Sequence, residues 1–237
     1  MRNTTTIALR EFKSYLASPM AYIVTGIFLV GTGFLFSISP ATYSQTSIKG
    51  LWEPLGTLLL LLLTTVLTMR LLAEERKMGT LELLLTAPIR DSEIILGKFL
   101  GSLGIVTIML ALTFYYPILL IWFGDPDMKS IGAGYLGLFL LGGASLAVGL
   151  FASSLTSNQL VAAMVAGGII FALYFVGFAA NVLPEALGEV IGYLSLSTYI
   201  PDFMRGVIDT RGIVYYLSIT VLFLFLAIRS IESSRWN

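Results

Sequence analysis

Cysteine and histidine are both absent from this chain of 237 residues, and charged side chains make up only 12% of it. Without them there is no thiolate nucleophile, no disulfide and no Cys/His zinc site. A serine triad would lack its imidazole base, so Gly143-Ala144-Ser145 is not a hydrolase site. A phosphate-binding P-loop is missing too. The Gly97-Lys98 pair is followed by Phe99 where Ser or Thr is required, and Ser92 stands at the position of the first glycine. The formal net charge is zero, which gives a nucleic-acid partner no electrostatic support. What the chain has in excess is apolar surface. Hydrophobic residues reach 57% and mean hydropathy is +0.89, where soluble domains average about 45–50% apolar and about 25% charged. A chain this short cannot bury so much apolar surface in a water-exposed globule, so much of it faces lipid.

Charge-free stretches map the spans, because a charge near the bilayer centre is costly. They predict an all-α integral membrane protein with six transmembrane helices in a single domain, at about 20–38, 54–73, 97–122, 131–153, 159–182 and 213–231. The uncharged run from Ser130 to Pro184 is long enough for two spans of about 20 residues. Its polar break, Ser153-Ser154-Leu155-Thr156-Ser157-Asn158-Gln159, separates the fourth span from the fifth. Six spans put both termini, the 71–97 loop and the 153–159 turn on one side. That side carries ten of the 14 Lys and Arg residues, while acidic residues divide evenly. Both termini are therefore expected in the cytoplasm.

Three segments are not spans. In residues 3–18, Ala8, Phe12, Tyr15 and Leu16 recur at helical spacing beside Arg10, Glu11 and Lys13, predicting an amphipathic elbow helix at the membrane interface. The periodicity leaves open whether it also meets a partner. The 71–97 loop reads as built structure. Arg70 and Glu74 are spaced i, i+4, and Gly79 suits a helix C-terminus. Thr80 can cap a short helix from Leu81 to Thr86 that Pro88 ends, and Asp91 or Ser92 can cap the third span. Leu83, Leu84 and Leu85 need lipid or a protein groove to cover them. Between the fifth and sixth spans, the uncharged run from Val190 to Pro201 is too short to cross. It predicts short re-entrant helices carrying Ile191, Tyr193, Leu194 and Leu196.

Glycines line the spans, with Gly97 and Gly101 forming a GxxxG. They permit close helix approach, either within the chain or across a dimer. Thr25, Thr64, Thr65, Thr107 and Asn181 could line a path, although hydroxyls equally well bond their own helix backbone, and none is singled out. No predicted span carries a charge near its middle, where a gradient-driven transporter usually places one. Energy for any transport would then come from outside the chain.

The run Arg70-Leu71-Leu72-Ala73-Glu74-Glu75-Arg76-Lys77-Met78-Gly79-Thr80-Leu81-Glu82-Leu83-Leu84-Leu85-Thr86-Ala87-Pro88 closely resembles the first cytoplasmic loop of type-2 ABC transporter permeases. Ile94 to Lys98 resembles the start of that family's third span, residues 149–156 with Asn158-Gln159 its turn between spans four and five, and Arg205 to Asp209 its segment before the last span. Within the family, the short chain and the first loop look most like the gliding-motility and nitrous-oxide-reductase-maturation branches. The resemblance implies a permease subunit of an ATP-driven exporter in the bacterial cytoplasmic (inner) membrane, paired with a second permease as a homodimer or with a related chain. It implies two separate cytoplasmic ATPase subunits that bind the ATP and Mg, so no cofactor and no catalytic residue is expected on this chain. It also implies a coupling helix that docks on the ATPase, a role falling on Glu74, Glu75, Arg76, Lys77, Gly79, Thr80, Glu82, Leu83 and Leu84, with the elbow at Ala8, Phe12, Tyr15 and Leu16 close by. The loops are short, so substrate selection would rest on the spans or on an extracytoplasmic accessory subunit, as the gliding-motility branch suggests. The alternatives are an ATP-independent carrier or channel, and a membrane scaffold of a motility or maturation complex.

Overall fold

The computed structural model describes residues 2–38, 48–80, 89–123, 126–180, 184, 188 and 191–234. Every regular element among them is helical, and six helices are long and apolar enough to cross a membrane: Pro19–Ile38, Lys49–Lys77, Asp91–Trp122, Met128–Ser154, Gln159–Phe178 and Thr210–Ser233. The protein is thus an all-α, multi-pass membrane protein. We label the helices α1 (Arg2–Ala17), α2 (Pro19–Ile38), α3 (Thr57–Thr68), α4 (Ala73–Lys77), α5 (Asp91–Leu112), α6 (Tyr115–Phe123), α7 (Met128–Ser154), α8 (Gln159–Ala180), α9 (Ile200–Met204) and α10 (Thr210–Ser234).

The fourth span, α7, is the axis of the bundle. Of its apolar stretch 78% is buried, against 22% for the first, fifth and sixth spans. Small residues place it there, since helices in lipid gain little from apolar area and associate through close packing. A Cβ at Gly137 would lie 2.8 Å from Phe203, one at Gly142 3.0 Å from Val106, and one at Gly149 would fall within the Thr68 side chain. Ala144, Ser145, Ala147 and Val148 are wholly buried between those contacts.

Two spans are interrupted, each for a legible reason. The second begins with a helical turn, Lys49–Leu51, and a wide turn, Trp52–Gly56, before α3. Pro54 supplies no N–H there, and Glu53 before it leaves helical geometry (φ −107°, ψ 124°). The third bends at Thr113, between α5 and α6. Pro117 cannot donate to the Thr113 carbonyl, which accepts instead from the Tyr116 N–H at 3.0 Å and from the Tyr135 hydroxyl of α7 at 2.9 Å. The third span starts earlier than the sequence suggested. Arg90, with extended backbone, is its N-cap rather than Asp91 or Ser92, and its N–H donates to the Glu93 carboxylate at 3.4 Å.

Residues 191–204 fold over one end of the fourth, fifth and sixth spans. The N–H of Leu196 donates to the Leu173 carbonyl at 3.0 Å, and the Ser195 hydroxyl to the Tyr174 carbonyl at 3.0 Å. Tyr216 donates to the Leu196 carbonyl at 2.8 Å, Tyr215 donates to the Leu194 carbonyl, and Ser130 donates to the Met204 carbonyl. This irregular backbone is satisfied by protein. Beyond α9 and its C-cap Arg205, Gly206 has a positive φ of 83° that lets the Val207 N–H return to the Asp202 carbonyl at 3.0 Å. Of the four residues expected here, Leu196 is buried, Ile191 is half-buried, and Tyr193 and Leu194 are exposed.

Candidate functional site

The elbow α1 does not lie alone at the membrane surface. It packs along α5, and the glycines of α5 make the groove. Gly97, Gly101 and Gly104 follow one another at i, i+4 and i+7 on one face. A Cβ at Gly97 would sit 2.7 Å from Ile7, one at Gly101 3.0 Å from the Ala8 carbonyl oxygen, and one at Gly104 2.8 Å from the Phe12 ring. The GxxxG therefore serves contact within the chain. Asn3 donates to the Glu93 carboxylate at 3.2 Å and holds the near end of α1 to the start of α5. At the other end the Tyr15 hydroxyl donates to the Leu67 carbonyl at 2.9 Å. Burial, and then the neighbouring Glu11 carboxylate, push the Tyr15 phenol above its ordinary pKa, so it stays a neutral donor. Ala8, Phe12 and Tyr15 share the covered face. Leu16 does not: it is 39% exposed and lies with Leu9 on the outer side.

Lys98 is the centre of this assembly. Because α5 begins at Asp91, Lys98 lies two turns inside the helix, with its side chain only 3% exposed. Its ammonium is 2.8 Å from Glu75 Oε1 and 3.3 Å from Glu11 Oε2. A buried ammonium is tolerated only when paired, and here the pairing joins three elements: the elbow, the first loop and the third span. One residue away, Arg70 holds Glu74 with two parallel bonds of 2.7 and 3.1 Å. The i, i+4 pair expected at Arg70 and Glu74 is thus present.

The loop residues expected to face an ATPase divide into two sets. Glu74 and Glu75 turn inward to these ion pairs. Lys77, Met78, Gly79 and Thr80 are exposed, and Arg76 is half-buried. Gly79, with φ 71°, directly follows the C-cap residue Met78 of α4. Glu82, Leu83 and Leu84, with the short helix expected from Leu81 to Thr86, lie outside the described residues.

A second joint lies behind the first. Between α3 and α4 the second span is interrupted over residues 69–72. The Ser153 hydroxyl of α7 accepts from the N–H groups of Leu72 at 3.0 Å and Ala73 at 2.9 Å, and donates to the Met69 carbonyl at 3.3 Å. One hydroxyl thereby uses its donor and both lone pairs to cap the break. Neither Lys98 nor Ser153 is picked out by sequence reasoning. A lone lysine just inside an apolar helix, with acidic residues in two flanking segments, was the available signal for Lys98. Nothing distinguished Ser153 from the serines around it.

Of the hydroxyls considered as path-lining residues, three bond their own helices: Thr64 and Thr65 to the Leu61 carbonyl, at 2.9 Å each, and Thr107 to that of Leu103 at 2.8 Å. Asn181 lies outside the described residues. An open cleft of about 570 Å³ separates Met69 and Lys77 from the turn of Ser157, Asn158, Gln159 and Leu160. A second cavity, of about 290 Å³, lies in the corner between α1, the start of α2 and the end of the second span. Among the described residues, no three acidic side chains converge to hold a metal ion.

No curated protein matches the chain. The sequence model of the family described as ABC-2 family transporter protein matches residues 5–192, most of the chain, from the elbow through the fifth span, and the protein is a multi-pass membrane permease belonging to that family.

Proposed function

We propose that this permease is the membrane half of an ATP-driven exporter, working as a homodimer with two separately encoded ATPase chains in the bacterial cytoplasmic membrane, both termini inside. As an ABC-2 permease it has an ABC ATPase subunit for a partner. The observation that carries the coupling is the Lys98 joint, in which one buried ammonium binds Glu75 of the first loop and Glu11 of the elbow. In this reading the ATPase docks on the exposed end of the loop at Lys77, Met78, Gly79 and Thr80, and on the following segment with Glu82, Leu83 and Leu84. A push on that end cannot move the loop alone, because the ion pairs tie it to the elbow and to the third span. ATP-driven closure of the ATPases then tilts these elements together and biases the paired permeases between two states. The Ser153 cap is the matching joint to the central fourth span, so displacement reaches the bundle axis. Substrate choice falls to the spans or to an accessory subunit that meets residues 191–204.

The test is a mild-detergent purification of the permease from its native membrane, with mass spectrometry of what remains bound. The expected result is a P-loop ATPase at about one per permease, absent after deletion of residues 74–86, and ATP-dependent solute movement in vesicles that Leu83→Asp abolishes. Absence of any ATPase, under conditions that preserve other membrane complexes, overturns the reading. ATP turnover with no solute crossing would reassign the chain to a scaffold.

A further inference from the structure

We propose that the corner cavity beneath the elbow is a lipid site that takes the headgroup of one zwitterionic aminophospholipid, such as phosphatidylethanolamine, from the leaflet in which the elbow lies. The cavity occupies the angle where the amphipathic α1 turns through Ser18 into the spanning α2. The corner lies at the first residues of the 20-residue span Pro19–Ile38, whose length matches the hydrocarbon core of about 30 Å, so the corner is level with phosphates and ammonium groups. The adjoining surface suits acyl chains: Tyr22, Ile23 and Ile27, on α2 just beyond the corner, are all more than half exposed. At about 290 Å³ the cavity lies at the small end of ligand sites, roughly 300–1,000 Å³. It has room for a headgroup, not for a whole lipid.

Charge selects the class. The lining carries three cations, Arg10, Arg70 and Lys98, and three carboxylates, Glu11, Glu74 and Glu75. The sum is zero, which favours a zwitterion over an anionic lipid or a bare cation. The charges are also unevenly spent. Arg70 and Lys98 are held by the carboxylates, whereas Arg10, exposed on the elbow, has no ion-pair partner among the described residues. Arg10 is the available guanidinium for a phosphate. Glu11 and Glu74 are each only partly buried and each accept from one cation, so lone pairs remain for an ammonium with N–H donors. Choline has no such donor and is held by aromatic cages, whereas this lining has one aromatic side chain, Tyr15, whose hydroxyl is already donated to Leu67. The site shares Lys98, Glu11 and Glu75 with the proposed coupling joint, but lipid binding needs no nucleotide and no ATPase, so its test is separate from that of the transport cycle.

The experiment is native mass spectrometry of the full-length permease released from nanodiscs containing equal parts of phosphatidylethanolamine, phosphatidylglycerol and phosphatidylcholine. The expected result is one retained phosphatidylethanolamine per chain. Ser14→Trp, which fills the cavity from its rim, and Arg10→Ala should each lower that retention about tenfold, the worth of one charge-assisted contact. Lys13→Ala, exposed on the same helix but outside the cavity, should leave retention unchanged, and thermal melting of each variant shows that it is folded. Equal retention of the three lipids, or retention indifferent to Ser14→Trp, overturns the proposal. Loss of ATPase co-purification in Ser14→Trp with lipid retention intact also overturns it, and assigns the cavity to the protein joint.

Discussion

The ammonium of Lys98 lies 2.8 Å from a carboxylate oxygen of Glu75, across 23 residues of chain and in a setting where the lysine side chain is 3% exposed. Glu75 belongs to the loop that faces the ATPase in the proposed assembly, and Lys98 to a membrane span. Their ion pair, shared with Glu11, is the physical link between that loop and the transmembrane bundle.

Lys98→Met removes the ammonium and leaves two carboxylates facing each other. We expect a loss of ~2 kcal/mol, below the ~3–5 kcal/mol of a wholly buried pair, because the Glu11 and Glu75 side chains keep 21% and 27% exposure. Unfolding in detergent micelles measures it. Combining Lys98→Met with Glu11→Gln and Glu75→Gln should recover most of the loss, since the uncompensated charges go too. If the triple variant is as unstable as the single one, the ion pair is not the cause.

Gly101→Val should drive the elbow from its groove, because the new side chain meets the Ala8 backbone and Glu11. The cysteine-free sequence makes the readout clean. A single Ala8→Cys reporter should alkylate slowly in the parent and about tenfold faster with Gly101→Val, as expected when a local contact opens. Lys13→Cys, already exposed, should react at the same rate in both.

Ser153→Ala strands the N–H groups of Leu72 and Ala73. The cost should be about 2 kcal/mol, the penalty for buried donors left unmade. Amide exchange at those two residues should accelerate in step. Unchanged exchange would mean that another acceptor serves the break.

Tyr135→Phe and Pro117→Ala should be coupled. Tyr135 is the second donor, beside the Tyr116 N–H, to the Thr113 carbonyl that Pro117 cannot serve. Tyr135→Phe alone should cost about 1 kcal/mol, and clearly less in the Pro117→Ala background, where a new N–H reaches the same carbonyl. Additive losses would show that the two positions act separately.

Much of the site was written in the sequence as residue types and little of it as directions. The Arg70–Glu74 spacing dictated an ion pair, since i, i+4 neighbours meet on any helix. The first loop was marked as built structure, and the family resemblance assigned Glu74 and Glu75 to the helix that docks on the ATPase. The structure turns them inward, because Lys98 lies two turns deep in a helix that starts at Asp91. Gly97 and Gly101 were legible as a close-approach motif with two candidate occupants, another helix of the chain or a second subunit. Periodicity alone put Leu16 with Ala8, Phe12 and Tyr15, although the helix rotates its leucines outward once the glycine groove takes Ile7, Glu11 and Phe12.

The sequence by itself determined that this chain lives in a membrane, with six apolar helices, an amphipathic elbow before them and a charged loop after the second. Those properties follow from the cost of moving each residue between water and lipid, which depends on local composition and length. Tertiary structure alone decided that Lys98 binds Glu11 and Glu75, that Ser153 caps a break 80 residues away, and that the glycines of the third span hold the elbow of the same chain. Each of these depends on which faces meet. In lipid, apolar area does not discriminate among helix faces, so close shape fit and the pairing of buried polar groups make the choice.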